Sequence, residues 1–339
     1  MQTFTAVKEE LLPHAAARRI FSLIEPEMRL VEAEYERQAS SSIQVINFLG
    51  DYLRASGGKR VRPALLILAT YAAGGRGDSE SAVRLATVME MLHTATLVHD
   101  DIIDNAGMRR NHESINARFG NQSAVLMGDW LYMSAFEASL KERSLAILDI
   151  LTALTRKMTE GELTQLTMIG KTDVTEDDYF DILRRKTAFL FSGCCEIGAI
   201  LSAAGPRVQK ALREYGMNLG VAFQLADDLL DFTSNERALG KAAGADLIEG
   251  KVTLPLILLQ KTDPTISERL VDVMYDGRYD GDIHRELLAK LHEHGTLDII
   301  RERARSFARE ALKNLEVLQQ TEYSRALDAI TDYVIERTS

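Results

Sequence analysis

The sequence predicts an all-α fold, a bundle of long stacked helices, on three observations. The chain has six prolines, none between Pro63 and Pro206, so nothing in that span forces a helix to stop. Apolar residues there recur at helical spacing instead of alternating, which argues against strands. Two segments, Ser81 to Asp104 and Arg213 to Phe232, are apolar nearly all round, and such helices belong at the centre of a bundle.

Breaks between helices fall at residues 72–80, 105–113, 168–178, 203–206 and 239–251, each carrying glycine or turn-forming polar residues. Thr175 followed by Asp178 reads as a helix N-cap with an acid in the first turn. Beyond about residue 262 the helices turn amphipathic and charged, as in residues 285–294 and 300–318. These are expected to form an outer layer closing the same bundle, so that residues 1–339 make one domain.

Hydrophobic residues make up 46% and charged residues 27%, a balance that suits a globular protein with a large core rather than a disordered chain. No run of about 18 uncharged apolar residues occurs, and the N-terminus lacks a signal peptide's apolar centre, so the expected location is cytoplasmic. The two cysteines, Cys194 and Cys195, are adjacent, so they neither staple a loop nor frame a zinc site and read as small buried apolar residues. A net charge of -10 disfavours nucleic acid as a partner. Basic clusters at Gly57–Pro63 and Met108–Arg110 still offer local sites for anions.

The stretch LVHDDIIDNAGMRR, Leu97 to Arg110, sets three carboxylates into an apolar helix. Asp100 and Asp104 lie within about 40° of each other around it, with Asp101 beside them. Two carboxylates ~6 Å apart at an effective dielectric of 20 repel by roughly 3 kcal/mol, so something must compensate. Mg²⁺ suits such oxygen-rich sites, because it keeps several waters and bridges carboxylates to a substrate's phosphates. One DDxxD motif is a weak signal, since acidic helix ends are usually just solvated. The spacing recurs, however, at Asp227, Asp228 and Asp231, again near the end of an apolar helix.

With GGKRVRP, DDIID followed by MRR, the Lys186-Thr187 pair, FQLADDLLD, GKAAGADL and EGKVTLP in this order, the chain resembles the trans-polyprenyl diphosphate synthase family over nearly its whole length. The resemblance implies an isoprenoid-synthase-type bundle around a deep cavity, in a homodimer, with the Asp motifs facing each other across its mouth. It implies Mg²⁺, three ions per active site with substrate bound, held by Asp100, Asp104, Asp227 and Asp231. Arg109, Lys186, Lys241 and Lys251 match positions that contact the allylic diphosphate; Lys59, Arg62, His93 and Arg110 match the isopentenyl diphosphate site. Thr187 and Gln224 match positions whose oxygens lie near the allylic carbon. One departure is Asn111, where many members have glycine; Asn tolerates positive φ, so the turn should survive.

Short-chain members block their cavity with bulky residues one to two turns before the first Asp motif. Here those positions are Ala95 and Thr96, and Ala95 lies about 7.5 Å below Asp100, which leaves the shaft open. Leu92 and Met89 are expected to set its floor. The chain therefore looks like a long-chain synthase, similar to those making octaprenyl or solanesyl tails for quinones, with release of the insoluble product aided by a membrane surface. The alternatives are a farnesyl or geranylgeranyl synthase and a silent partner subunit, though the latter should lack the acidic ligands kept here. A terpene cyclase normally mixes Asn, Ser or Thr, and Glu in its second motif. A di-iron bundle needs two Glu-x-x-His pairs, and only Glu90 with His93 fits.

Overall fold

A computed structural model describes residues 20–109, 112–233 and 244–336. Helices account for nearly all of them: α1 (Glu25–Gln38), α2 (Gln44–Ala55), α3 (Val61–Ala72), α4 (Glu80–Ile103), α5 (Ile115–Phe119), α6 (Asn121–Leu140), α7 (Leu145–Met168) and α8 (Glu176–Leu183). A π-helical turn (Arg184–Ala188) leads directly into α9 (Phe189–Leu201), then α10 (Pro206–Thr233), α11 (Ala245–Ile248) and α12 (Leu254–Thr262). The chain continues through α13 (Ile266–Asp276), α14 (Gly281–Glu293), α15 (Thr296–Leu315) and α16 (Glu322–Glu336). The all-α expectation holds.

Helix α4 starts where Ser79 accepts a hydrogen bond from the Ala82 N–H, with Glu80 in the first turn. From Ala82 to Leu92 every residue is buried, and after His93 burial becomes one-sided. The change marks where the helix leaves the core and lines a pocket with Thr94, Leu97, Val98 and Asp101. Trimming one of its enclosed side chains, such as Leu85 or Met91, to Ala would cost about 2–5 kcal/mol. The predicted cap at Thr175 is a full capping box, with Asp178 accepting in return from the Thr175 N–H.

Two apolar clusters fill the interior. The first gathers Met28, Leu65, Leu85, Met91, Leu131 and Phe191, and the second Tyr179, Leu225, Leu229, Leu256, Leu287 and Ile300. Helix α10 belongs to both, giving Leu212, Tyr215 and Leu219 to the first and Val221, Leu225 and Leu229 to the second. Helices α13 to α15 cover the second cluster, as an outer layer should. Helix α16 instead returns to the first, where Tyr215 donates to the Leu327 carbonyl at 2.9 Å.

Two local features depart from a plain bundle. The break after Asp104 is a short antiparallel ribbon, β1 (Met108–Arg109) against β2 (His112–Glu113). Ser114 ties it down by donating to the Ala106 carbonyl at 2.5 Å, and Tyr52 by donating to that of Glu113 at 2.8 Å. The π-helical turn is the second, and such turns cluster at functional sites. It can lie against α10 because Gly220 has no side chain: a Cβ there would sit 2.6 Å from Ala188 Cα. One turn earlier, a Cβ at Gly216 would sit 2.5 Å from the Phe191 carbonyl oxygen. Gly220→Ala is therefore expected to lower stability by about 1–3 kcal/mol through overpacking. Urea unfolding should show the loss, and turnover should fall with it because the displaced turn carries Lys186 and Thr187.

Candidate active site

The last turn of α4 carries the first motif. Asp100 is half-buried, and burial pushes its carboxyl up to about 7; Lys186 and Arg109 oppose the shift, while Glu162 and Asp104 add to it. Asp104 accepts from Lys251 Nζ at 2.8 Å, and Lys251 also donates to Glu249 at 2.7 Å. Burial alone would pull the Lys251 ammonium down, but the bonds and charge of Asp104 and Glu249 outweigh it and hold it raised. Asp101 has a different task. Nearly enclosed, it accepts from Arg109 Nε at 2.6 Å, and its carbonyl accepts from Asn116 Nδ2 at 3.0 Å. It thereby locks β1 to the helix end.

Across the site, α10 presents Gln224 and Asp227 half-buried, with Asp228 and Asp231 nearly enclosed. Thr187 Oγ1 donates to Gln224 Oε1 at 3.0 Å, and Gln224 Nε2 donates to Asp228 Oδ1 at 2.9 Å. Tyr179, on α8, donates to the other Asp228 oxygen at 2.6 Å. Burial pushes the Asp228 carboxyl up to about 7, helped by the charges of Asp246 and Asp227 and opposed by these two bonds. Lys186, in the π-helical turn, pairs with Glu162 at 2.5 Å and also donates to Gln165.

The GGKRVRP loop lies beside α4. Arg60, left-handed at φ 51, is pinned by Glu32 at 2.6 Å and Glu90 at 2.8 Å over the Tyr35 ring. Glu90 is thus committed to Arg60, which removes the di-iron reading of Glu90 and His93. Lys59 is exposed and His93 half-buried, its carbonyl accepting from Thr96 Oγ1 at 2.7 Å. Arg62 lies over the Phe191 ring at 5.1 Å, its enclosed Nε finding no hydrogen-bond partner among the described residues. Burial pulls its guanidinium down, and Glu90, Cys194 and Asp227 resist. Met89, Leu92 and Ala95 are almost fully buried in the first cluster, and Thr96 is half-buried. Arg110, Asn111 and Lys241 lie outside the described residues.

The structure therefore brings Asp100, Asp104, Lys186, Thr187, Gln224, Asp227 and Lys251 around one site. Sequence reasoning gave no role to Arg60, Glu162, Tyr179 or Glu249, and counted Asp101 and Asp228 only as members of their acidic motifs. Arg60, Asp101, Asp228 and Glu249 stand inside the quoted motifs, whereas nothing in the sequence marks Tyr179. No three His, Cys, Asp or Glu side chains among the described residues converge closely enough to hold an ion by themselves.

The family model for polyprenyl synthetase matches residues 43–291. The chain belongs to the polyprenyl synthetase family. It is 36% identical over 318 residues to octaprenyl diphosphate synthase of Haemophilus influenzae, covering 94% of this chain and 96% of the relative. Geranylgeranyl diphosphate synthase of Methanosarcina mazei is 35% identical over 291 residues, covering 84% and 88%. A crystal structure of polyprenyl synthase from Caulobacter crescentus, complexed with calcium and isoprenyl diphosphate, superposes with a TM-score of 0.89 at 33% identity. The match covers 96% of this chain and 100% of that one. This polyprenyl synthetase is thus a prenyltransferase of isoprenoid biosynthesis.

The acidic site of this polyprenyl synthetase makes a pH-dependent prediction for the metal-free protein. Between the ordinary carboxyl value of 3.8 and about 7, the unfolded chain has released the Asp100 proton and the folded chain has not. The unfolded state then binds fewer protons, so stability falls as pH rises and the full cost is present above about 7. For a half-buried side chain this cost is on the order of 2–3 kcal/mol. Asp100→Asn should raise the thermal midpoint in chelator at pH 8, with the gain vanishing towards pH 4. A gain independent of pH would exclude an elevated Asp100 carboxyl.

Proposed function

We propose that the protein condenses isopentenyl diphosphate with an allylic diphosphate in repeated head-to-tail (1′-4) additions, giving a long-chain all-trans polyprenyl diphosphate, and that quinone side chains are its destination. The observation that carries the reading is the gathering of Asp100 and Asp104, at the end of α4, with Lys186, Thr187, Gln224 and Asp227 around one site. The carbon–oxygen bond of the allylic diphosphate breaks, its electron pair leaving with the diphosphate. The isopentenyl double bond supplies the pair for the new carbon–carbon bond, and loss of a proton restores a double bond. No side-chain nucleophile takes part.

Arg109, Lys186, Lys251 and Lys241 take the allylic diphosphate, and Lys59, Arg62, His93 and Arg110 the isopentenyl diphosphate. Arginine's fork and lysine's point charge both suit phosphate oxygens. The oxygens of Thr187 and Gln224 face the carbon that becomes positive. Mg²⁺ bound by Asp100, Asp104, Asp227 and Asp231 would supply Lewis-acid stabilisation of the departing diphosphate. Phe307 packs against both apolar clusters, which supports treating the chain as one domain.

A homodimer is supported by α6, where Leu126 and Met133, spaced by one heptad, are 69% and 63% exposed. A long polyprenyl product is insoluble in water, so its release belongs at a membrane surface. No helix among the described residues is long and apolar enough to cross a membrane.

The deciding assay supplies labelled isopentenyl diphosphate and Mg²⁺ with geranyl, farnesyl or geranylgeranyl diphosphate and sizes the dephosphorylated products. Products longer than geranylgeranyl are expected; a parent that stops at farnesyl or geranylgeranyl length would overturn the long-chain reading. Asp227→Ala should reduce turnover by about two orders of magnitude or more while leaving helical content unchanged. Ala95→Phe sets a ring one and a half turns below the first motif. It should still consume isopentenyl diphosphate but release a shorter distribution, and an unchanged product length would show that the tail does not pass Ala95.

A further inference from the structure

Tyr179 stands at the middle of α8, far along the chain from both Asp motifs. Its ring is packed into the second apolar cluster, while its hydroxyl donates to Asp228 Oδ2 at 2.6 Å. The remaining oxygen of that carboxylate accepts from Gln224 Nε2 at 2.9 Å. Gln224 then offers Oε1 to the Thr187 hydroxyl at 3.0 Å. These bonds form one chain from a buried phenol to the cavity.

Each link fixes the direction of the next. The two ends of a glutamine amide are nearly equal in shape and opposite in polarity, so shape alone cannot decide which one faces the cavity. Here Asp228 takes the NH₂ end on one oxygen, its other oxygen being occupied by the Tyr179 hydroxyl. That leaves Oε1 beside Thr187, whose own proton is drawn to Oε1, so both oxygens keep lone pairs for whatever lies in front of them. A carboxylate bonded through one oxygen can still swing about its stem. Tyr179 holds the second oxygen and removes that freedom. Its helix also runs straight into the turn that carries Thr187.

We propose that Tyr179 is a positioning residue for the condensation: through Asp228 it holds Gln224 with its carbonyl oxygen, and the Thr187 hydroxyl oxygen, towards the carbon where positive charge develops. The inference rests on the prenyl-transfer reading above. With the hydroxyl gone, Asp228 can rotate and the Gln224 amide can turn over, bringing an N–H dipole to a carbon that is becoming cationic. The effect falls on the transition state, since neither diphosphate touches Tyr179 on this reading.

The test is Tyr179→Phe, alone and combined with Gln224→Leu, measured as the single-turnover rate of the first condensation with geranyl diphosphate, because slow release of a long product masks chemistry in the steady state. The single variant should lose about tenfold or more in that rate, with KM for both diphosphates within about twofold of the parent. The double variant should be no slower than Gln224→Leu alone, because the two residues act as one unit. A rate within about twofold of the parent, or losses that multiply in the double variant, would overturn the proposal. If Tyr179→Phe fails to fold, Asp228→Ala, which removes the acceptors of both Tyr179 and Gln224, must show the same pattern of reduced rate and preserved KM, and a normal rate there overturns it equally. The unmodified protein is assayed first: no condensation at that stage sinks the functional reading itself, whereas a working parent with an unimpaired Tyr179→Phe sinks only the role of Tyr179.

Discussion

Carboxylates set into the half-buried ends of two apolar helices repel one another, and the rest of the site is arranged around that repulsion. Asp100 and Asp228 both have carboxyls pushed up to about 7, chiefly by burial. Cations answer them from three elements: Lys186 acts on Asp100 and Lys251 on Asp104 from far along the chain, and Arg109 on Asp101 from the ribbon just after the motif. Each reaches the site from a different element, so the charge pattern also fixes how the ribbon, the π-helical turn and the segment before α12 sit against α4. Charge that would unfold an ordinary core here sets the geometry.

Packing cooperates with this electrostatic arrangement. The π-helical turn needs a helix that can approach its backbone closely, and Gly220 on α10 permits it. The same α10 carries Gln224, Asp227 and Asp231 less than four turns further on, where the helix passes from the first apolar cluster into the second. A site placed at that junction has rigid support on one side through Phe191 and Tyr215. On the other side, Tyr179 and Leu225 of the second cluster hold it.

Sequence made legible what depends on spacing along one helix. Asp100 and Asp104 share a face because four residues nearly close a turn, and the ends of α4 at Glu80 and Ile103 fall within a residue of the segment read as apolar all round. Basic motif residues were legible through their order in the chain. Contacts between elements were not. Tyr179 and Asp228 are 49 residues apart, and the pairing depends on how α8 lies on α10. Asp101 looked like a third member of the acidic group, yet it is turned to Arg109, because a residue next to Asp100 lies about 100° away around the helix. The π-helical turn arises from tertiary fit, and RRKTA has no periodicity that would mark it. The return of α16 to the first cluster was hidden in the same way. Its amphipathic pattern says that one face is buried and does not say against what.

On the proposed reading, the resting contacts of Lys186 and Lys251 also bear on how substrate and metal enter together. Both ammoniums are already held by carboxylates, that of Lys251 in a largely enclosed position. Turning from a carboxylate to a diphosphate oxygen exchanges one anion for another, which is far cheaper than stripping water from a free lysine. The exchange leaves Asp104 and its neighbours without their cations unless divalent ions arrive to replace them. A divalent ion arriving alone would meet the same ammoniums at close range and be repelled. On that reading diphosphate and metal are favoured as a combined unit over either one separately, and the source of that coupling is the set of carboxylates that Lys186 and Lys251 hold at rest.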